Sequence, residues 1–177
     1  MSELVLPNLL PSDIKILFIG INPGLRSAAI GHHFAGHSNR FWRLLADSGL
    51  TSGYLTAEQD SCLLDYHYGI TNVVHRPTAG AAELTPSEFK AGAELLLLLM
   101  QQHLPRIAAY LGKDSYRYIA GRRDFGWGLQ QPAISESIID FVLPNPSGLN
   151  RMPFQEQLFW YKKLKERLDN LTFINPG

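Results

Sequence analysis

The sequence predicts an α/β domain: a parallel sheet covered by helices on both faces. Three observations predict it. Short apolar runs of strand type alternate with segments that carry helix-start signals or helical spacing. The strands are separated by helices rather than by tight hairpin turns, which is the pattern of a parallel sheet. No linker or low-complexity stretch divides the 177 residues, which suit one domain with a sizeable core. We expect a single domain over 1–177, with its core at about 12–171 and mobile termini.

The first strand runs from Ile14 to Ile19 and stops at Gly20. A polar loop rich in Gly and His follows, from Ser27 to Ser38. Asn39 is placed to cap a helix that carries Phe41, Trp42, Leu44 and Leu45 and ends near Gly49. Gly69 to Val74 reads as the second strand, followed by a turn at Arg76-Pro77. Thr85-Pro86-Ser87-Glu88 has the form of a capping box with proline in the first turn, and the helix ends before Pro105. Arg106 to Gly112 is the third strand, with a helix from Asp114 or Ser115 to Ala120. Ser137 to Leu143 is the fourth strand, stopped by Pro144. The last helix spans about Phe154 to Leu171, with apolar residues at 154, 158, 161, 164, 168 and 171.

Composition excludes several classes. Apolar residues make up 45% and charged residues 18%, so the chain is not of disordered type. No apolar stretch approaches the ~20 residues of a membrane span. A single cysteine, Cys62, rules out an internal disulfide framework and cysteine-rich metal sites. We therefore expect a cytoplasmic protein. Net charge is zero. Residues 1–88 carry 5 basic and 8 acidic side chains, a net of −3; residues 89–177 carry 11 and 8, a net of +3. That asymmetry permits a local basic face.

Ligands of open parallel sheets sit beyond the carboxyl ends of the strands. Two loops stand out there: Gly20-Ile-Asn-Pro-Gly-Leu25 after the first strand and Leu143-Pro-Asn-Pro-Ser-Gly-Leu-Asn-Arg151 after the fourth. Both combine proline, which fixes φ, with glycine, which lets a ligand approach the backbone. The four letters INPG recur at 174–177, where no strand of comparable length precedes them, and we read that copy as coincidence or a tail. From the residues alone, both loops are also compatible with ordinary turns. Asn22 is equally compatible with a turn residue bonding its own loop, Phe34 with a core anchor and Leu149 with simple packing.

The pair of loops resembles the mismatch-specific uracil/thymine-DNA glycosylases, the Mug and thymine-DNA-glycosylase branch of the uracil-DNA glycosylase superfamily. The likeness extends through Phe34-Ala35, Asn39-Arg-Phe-Trp42, Leu64-Asp-Tyr66, Gly69-Ile-Thr-Asn72, Arg76-Pro-Thr78 and Leu111-Gly-Lys113, over about residues 12–165. It implies a three-layer α/β/α sandwich with a small, mostly parallel central sheet. It implies a monofunctional enzyme that cleaves the N-glycosidic bond of uracil, thymine or ethenocytosine opposite guanine in double-stranded DNA, acting as a monomer without metal or cofactor.

The resemblance also implies roles for residues. Asn22 would be the catalytic group, holding a water below C1′ of the deoxyribose. A carboxamide accepts and donates hydrogen bonds but takes no proton near neutral pH, so it suits a reaction whose leaving base is already a good anion. Phe34 would floor the everted base, because chemistry on a base requires it to leave the stack. Ile21 and Gly24 would offer backbone groups, Ser27 a small polar contact, and Asn72 an amide to the pyrimidine edge. Some bacterial relatives carry Lys where Asn72 stands, and Asn is like the thymine-glycosylase branch. Asn145 occupies a position where faster superfamily members have His. Gly148 and Leu149 would form a wedge in the stack, with Asn150 and Arg151 on the widowed guanine or adjacent phosphates. The two corners are expected at neighbouring strand tips.

Other readings stay open at this stage. A damage or mismatch binder without catalysis would use the same scaffold. A small-molecule hydrolase or nucleotide-binding enzyme is disfavoured by the absence of GxGxxG, GxxxxGK[ST] and GxSxG patterns. His32, His33 and His37 crowd one loop, but residues 14–46 contain no Asp or Glu to complete a metal site.

Overall fold

The computed structural model describes residues 5–172. The second INPG motif therefore lies outside the described residues. Five strands form one sheet: β1 (Ile16–Gly20), β2 (Tyr68–Asn72), β3 (Ile107–Leu111), β4 (Gly128–Leu129) and β5 (Ile139–Leu143), in the order β2-β1-β3-β5-β4. The β1–β2, β1–β3 and β3–β5 pairs are parallel; the two-residue β4 alone runs antiparallel, against β5. The expected mostly parallel sheet is present. The short edge strand was missed, because Gly128-Leu129 offers no strand-length apolar pattern.

The strand residues explain the three layers. Side chains alternate across a sheet, so an all-apolar strand must be buried on both faces. In β1, Ile16 and Phe18 enter one core and Leu17 and Ile19 the other, all fully buried. The first core is closed by α2 (Phe41–Asp47) and α5 (Phe154–Thr172), through Phe41, Leu44, Leu45, Leu158, Tyr161 and Leu164. The second is closed by α3 (Pro86–His103) and α4 (Lys113–Ala120), through Phe89, Leu96, Met100 and Tyr116. The α3 start is built as expected: the Glu88 N–H donates to Thr85 Oγ1 at 3.3 Å, and the Thr85 N–H donates to Glu88 Oε2 at 2.8 Å. Asn39 is not the cap of α2 as expected: Arg40 holds that position, and Asn39, one residue earlier, accepts from the Phe41 N–H through its Oδ1 at 2.9 Å.

Besides β4, two helical segments depart from the sequence expectation. Leu25–Ile30 forms a helix, α1, where a loop was expected from Ser27. Its ends are both glycine, with Gly24 extended and Gly31 in the left-handed region at φ 75°, so the usual polar start signal is absent. A ten-residue 3₁₀ segment, Ala57–Tyr66, precedes β2. No helix among the described residues is long and apolar enough to cross a membrane.

Gly92 brings α3 against the sheet: a Cβ there would collide with the carbonyl of Val73. Gly92→Ala should therefore destabilise the fold by roughly 1–3 kcal/mol despite the better helix propensity of alanine. Chemical denaturation of the two proteins measures the difference.

Candidate active site

The strand register sets where the site can form. Gly20 pairs with Asn72 and Leu111 with Leu143, so β1, β2, β3 and β5 all end on one edge of the sheet. The two Pro/Gly loops leave that edge from β1 and β5. They are not at neighbouring tips as expected, because β3 lies between them. Gly112, the residue after β3, bridges the gap. It sits at φ 97°, and a Cβ there would lie 3.3 Å from Asn145 Cβ and 3.7 Å from Ile21 Cδ1. Having no side chain, it lets the two loops close over the end of β3.

The first loop is held by the segment that continues from β2. Val73 N–H donates to the Gly20 carbonyl, Val74 N–H to Ile21 and Thr78 N–H to Pro23, at 2.9, 2.9 and 3.1 Å. The carbonyls are thus engaged. The N–H groups of Ile21 and Gly24 have no hydrogen-bond acceptor among the described residues. Gly20 is required here, because a Cβ would stand 2.5 Å from Asn72 Oδ1.

Asn22 is oriented by two acceptors far away in sequence. Its Nδ2 donates to the Arg76 carbonyl at 2.9 Å and to Thr78 Oγ1 at 2.7 Å. Thr78 Oγ1 in turn donates to the Gly80 carbonyl at 2.9 Å. A carbonyl can only accept, so the nitrogen must face Arg76 and the assignment of the carboxamide is settled chemically. The Oδ1 atom has no partner among the described residues. The segment that orients Asn22 is itself anchored. Arg76 donates to both oxygens of Glu88, at 2.6 and 3.2 Å, and to the Glu83 carbonyl at 3.1 Å. The guanidinium hydrogen bonds hold the Glu88 carboxyl down to about 2.

Phe34 adopts φ 53°, unusual for a non-glycine residue, and its ring stands 4.0 Å from that of Phe41. One flank is therefore packed while the residue remains half-buried. The loop is over-determined. Ser27 Oγ accepts from the Ala35 N–H at 3.0 Å, and the Arg26 guanidinium donates to the Ala35 carbonyl at 2.9 Å. Trp42 Nε1 donates to the His33 carbonyl at 3.3 Å. Asp60, from the 3₁₀ segment, accepts from the His33 N–H at 2.9 Å and lies 3.2 Å from His32 Nδ1. The carboxylate that the sequence did not place near these histidines is therefore present, brought by the fold. No group of three metal-ligating side chains exists among the described residues. Asn72 is only 6% exposed, yet its carboxamide has no hydrogen-bond partner among the described residues.

The second loop is cross-braced. Asn145 Oδ1 accepts from the Ser147 N–H at 2.9 Å, which leaves its Nδ2 as the available end. Asn150 is fully engaged, with Nδ2 donating to the Asn145 carbonyl at 2.8 Å and Oδ1 accepting from the Met152 N–H at 3.1 Å. Its side chain shapes the loop in this structure, and a contact to guanine would require it to leave those bonds. Leu149 projects from the tip, 74% exposed.

Both loops border one cavity of about 530 Å³. Its wall includes Ile21, Asn22, Gly24, Ser27, Phe34, Asn72, Asn145, Gly148, Leu149 and Asn150. The exposed Arg151 does not line it. The wall also holds Leu6, His33, Thr78 and Gly80, which the sequence reading did not assign. Thr78 lay in a quoted motif, Arg76-Pro77-Thr78, but nothing in the linear sequence indicated that it touches Asn22. His33 stood in a noted cluster of histidines with no cavity role indicated, and Leu6 from the N-terminal segment left no pattern.

His33 is 2% exposed, and burial favours its neutral form. Its Nε2 faces the Pro7 carbonyl at 2.8 Å and so carries the proton. Burial lowers its affinity for a second proton, outweighing the opposing pull of the Pro7 carbonyl and Asp60. The unfolded chain binds that proton from about pH 6.5 downward while the folded chain resists it, so this contribution to stability is present above 6.5 and lost as pH falls toward the lowered folded value. Melting temperature should drop as pH falls below about 6.5, and His33→Gln should flatten that part of the profile.

A solved NMR structure from Methanosarcina acetivorans, given as a candidate uracil DNA glycosylase, superimposes with a TM-score of 0.65 over 96% of this chain and 99% of that one, at 17% identity. At that identity the match speaks for the fold. The family model of the uracil DNA glycosylase superfamily matches residues 7–169, which include both loops and every wall residue named above except Leu6. The chain belongs to the uracil DNA glycosylase superfamily.

Proposed function

We propose that this protein is a monofunctional DNA glycosylase of the mismatch-specific kind, removing uracil, and also thymine or ethenocytosine, opposite guanine. The observation that carries the reading is the committed nitrogen and uncommitted oxygen of Asn22 on the wall of a cavity shared by both loops. An acceptor oxygen in that position orients a water without deprotonating it.

In this reading the everted pyrimidine rests on Phe34 and presents its edge to the unpartnered carboxamide of Asn72. The N-glycosidic bond breaks with its electron pair leaving on the base nitrogen. The N–H groups of Ile21 and Gly24 and the Asn145 amide donate toward the departing anion. The sugar, now oxocarbenium-like, is trapped by water held at Asn22 Oδ1. The water oxygen bonds to C1′, one proton is lost, and the free base takes up a proton. Leu149 fills the vacated stack, and Arg151 meets phosphate from outside the cavity. No lysine stands on the cavity wall among the described residues, so no amine is placed to form an imine with C1′ and cut the strand. DNA here acts as double-stranded substrate, bound by one copy of the chain.

Base release is read as alkali-sensitive strand cleavage on G:U, G:T, A:U and G:ethenocytosine duplexes. Release above a no-enzyme control on at least one of them is expected, without strand cutting before alkali. Lesion-selective binding with no release on any would instead identify a binder. Asn22→Ala should lower the single-turnover rate by about 10² or more while leaving duplex affinity within a few-fold. Asn22→Asp should also be slower than the parent protein. Its carboxylate cannot donate to the Arg76 carbonyl, so it loses the bond that aims the oxygen.

A further inference from the structure

The wedge loop has an unusual attachment. Its internal bonds hold its shape: Ser147 N–H to Asn145 Oδ1, Leu149 N–H to Ser147 Oγ, Asn150 N–H to the Ser147 carbonyl, and Asn150 Nδ2 to the Asn145 carbonyl. Those bonds do not fix where the loop points. Apart from bonds to the flanking Asn145 and Met152, the two hydrogen bonds that tie residues 146–150 to the rest of the described residues both come from Arg40. Its backbone N–H donates to the Pro146 carbonyl at 2.9 Å, and its guanidinium donates to the Asn150 carbonyl at 3.0 Å. Between these two points Gly148 lies flush on Ser38, where a Cβ would collide with the serine side chain. Arg40 itself does not line the cavity.

We propose that Arg40 is the positioning residue of the DNA wedge. It pins the loop at either side of its apex, so Leu149 is presented to the duplex in a fixed position. This rests on the reading of Leu149 as the wedge. The physical reason is preorganisation: a loop ordered before binding does not give up conformational freedom when it enters the stack. Leu149, 74% exposed, has little burial of its own to hold it in place. Arg40 also begins α2, whose Phe41, Leu44 and Leu45 are fully buried, so the anchor belongs to the rigid core. The arrangement assigns Arg40 an indirect part in eversion, distinct from a charge contact to phosphate.

The test uses duplexes with 2-aminopurine beside a G:U pair, whose fluorescence rises when the uracil leaves the stack. Arg40→Met keeps the aliphatic stem and removes the guanidinium bond. Affinity and the fluorescence rise should both fall, by about tenfold in the eversion equilibrium. Leu149→Ala should show a comparable defect, and the Arg40→Met/Leu149→Ala double variant should be less than about twofold worse than Leu149→Ala alone, since both act through one wedge. The slope of log Kd against log salt should be unchanged in Arg40→Met. A slope reduced by about one, or defects that multiply in the double variant, would place Arg40 on phosphate and overturn the proposal. So would a parent-like Arg40→Met in the presence of an impaired Leu149→Ala, which would leave the wedge reading standing. A parent-like Leu149→Ala removes the wedge reading itself, and the proposal with it. If Arg40→Met melts too low to assay, Gly148→Ala lifts the same loop from Ser38, and parent-like eversion by that variant overturns the docking argument.

Discussion

The site depends on a hydrogen bond between the Asn22 side chain and the Arg76 carbonyl, 54 residues apart. A main-chain carbonyl is an acceptor under all conditions, so only a donor can lie against it. That constraint selects an amide over a carboxylate at position 22 and turns the remaining oxygen into the group available to the cavity. The pocket wall that aims the side chain is built for an N–H. The carbonyl itself is held by the paired bonds of Arg76 to Glu88, which also caps α3 through Thr85. Surface ion pairs add little to stability. Here the pair matters for the placement of one carbonyl.

A second constraint is the way two loops from non-adjacent strands come to share a cavity. A strand stands between β1 and β5, and a side chain at its exit would keep Ile21 and Asn145 apart. Gly112 removes that obstacle and tolerates the positive φ that turns the chain into α4. Gly20 does the same service between Phe34 and Asn72. The cavity is therefore made as much by absent side chains as by present ones. Most of the cavity wall stands on loops, and the loops are fixed to rigid elements: Arg40 at the start of α2, Asp60 in the 3₁₀ segment, Ser27 in α1.

How much of this was legible before folding varied by kind of signal. The long strands and helices were legible because two-faced burial and helix spacing leave patterns in sequence. Glycine-bounded α1 and two-residue β4 left none, since neither has a polar cap or an apolar run. The two loops were recognisable by their Pro/Gly composition and their likeness to a family. Their partners, Thr78 on Asn22 and Arg40 on the second loop, were not, nor was Asp60 on His33, because a hydrogen bond across 27 to 110 residues has no local trace.

The sequence by itself determined the layered α/β architecture and the two corners where chemistry is possible. Both follow from local regularities: apolar period, caps, and the backbone limits of proline and glycine. The tertiary structure decided which end of the Asn22 amide is available, that Asn150 is engaged inside its loop, and that β3 separates the corners. Those are matters of orientation and distance. They depend on which groups the sheet register brings opposite one another, and a linear pattern of residue types does not encode that.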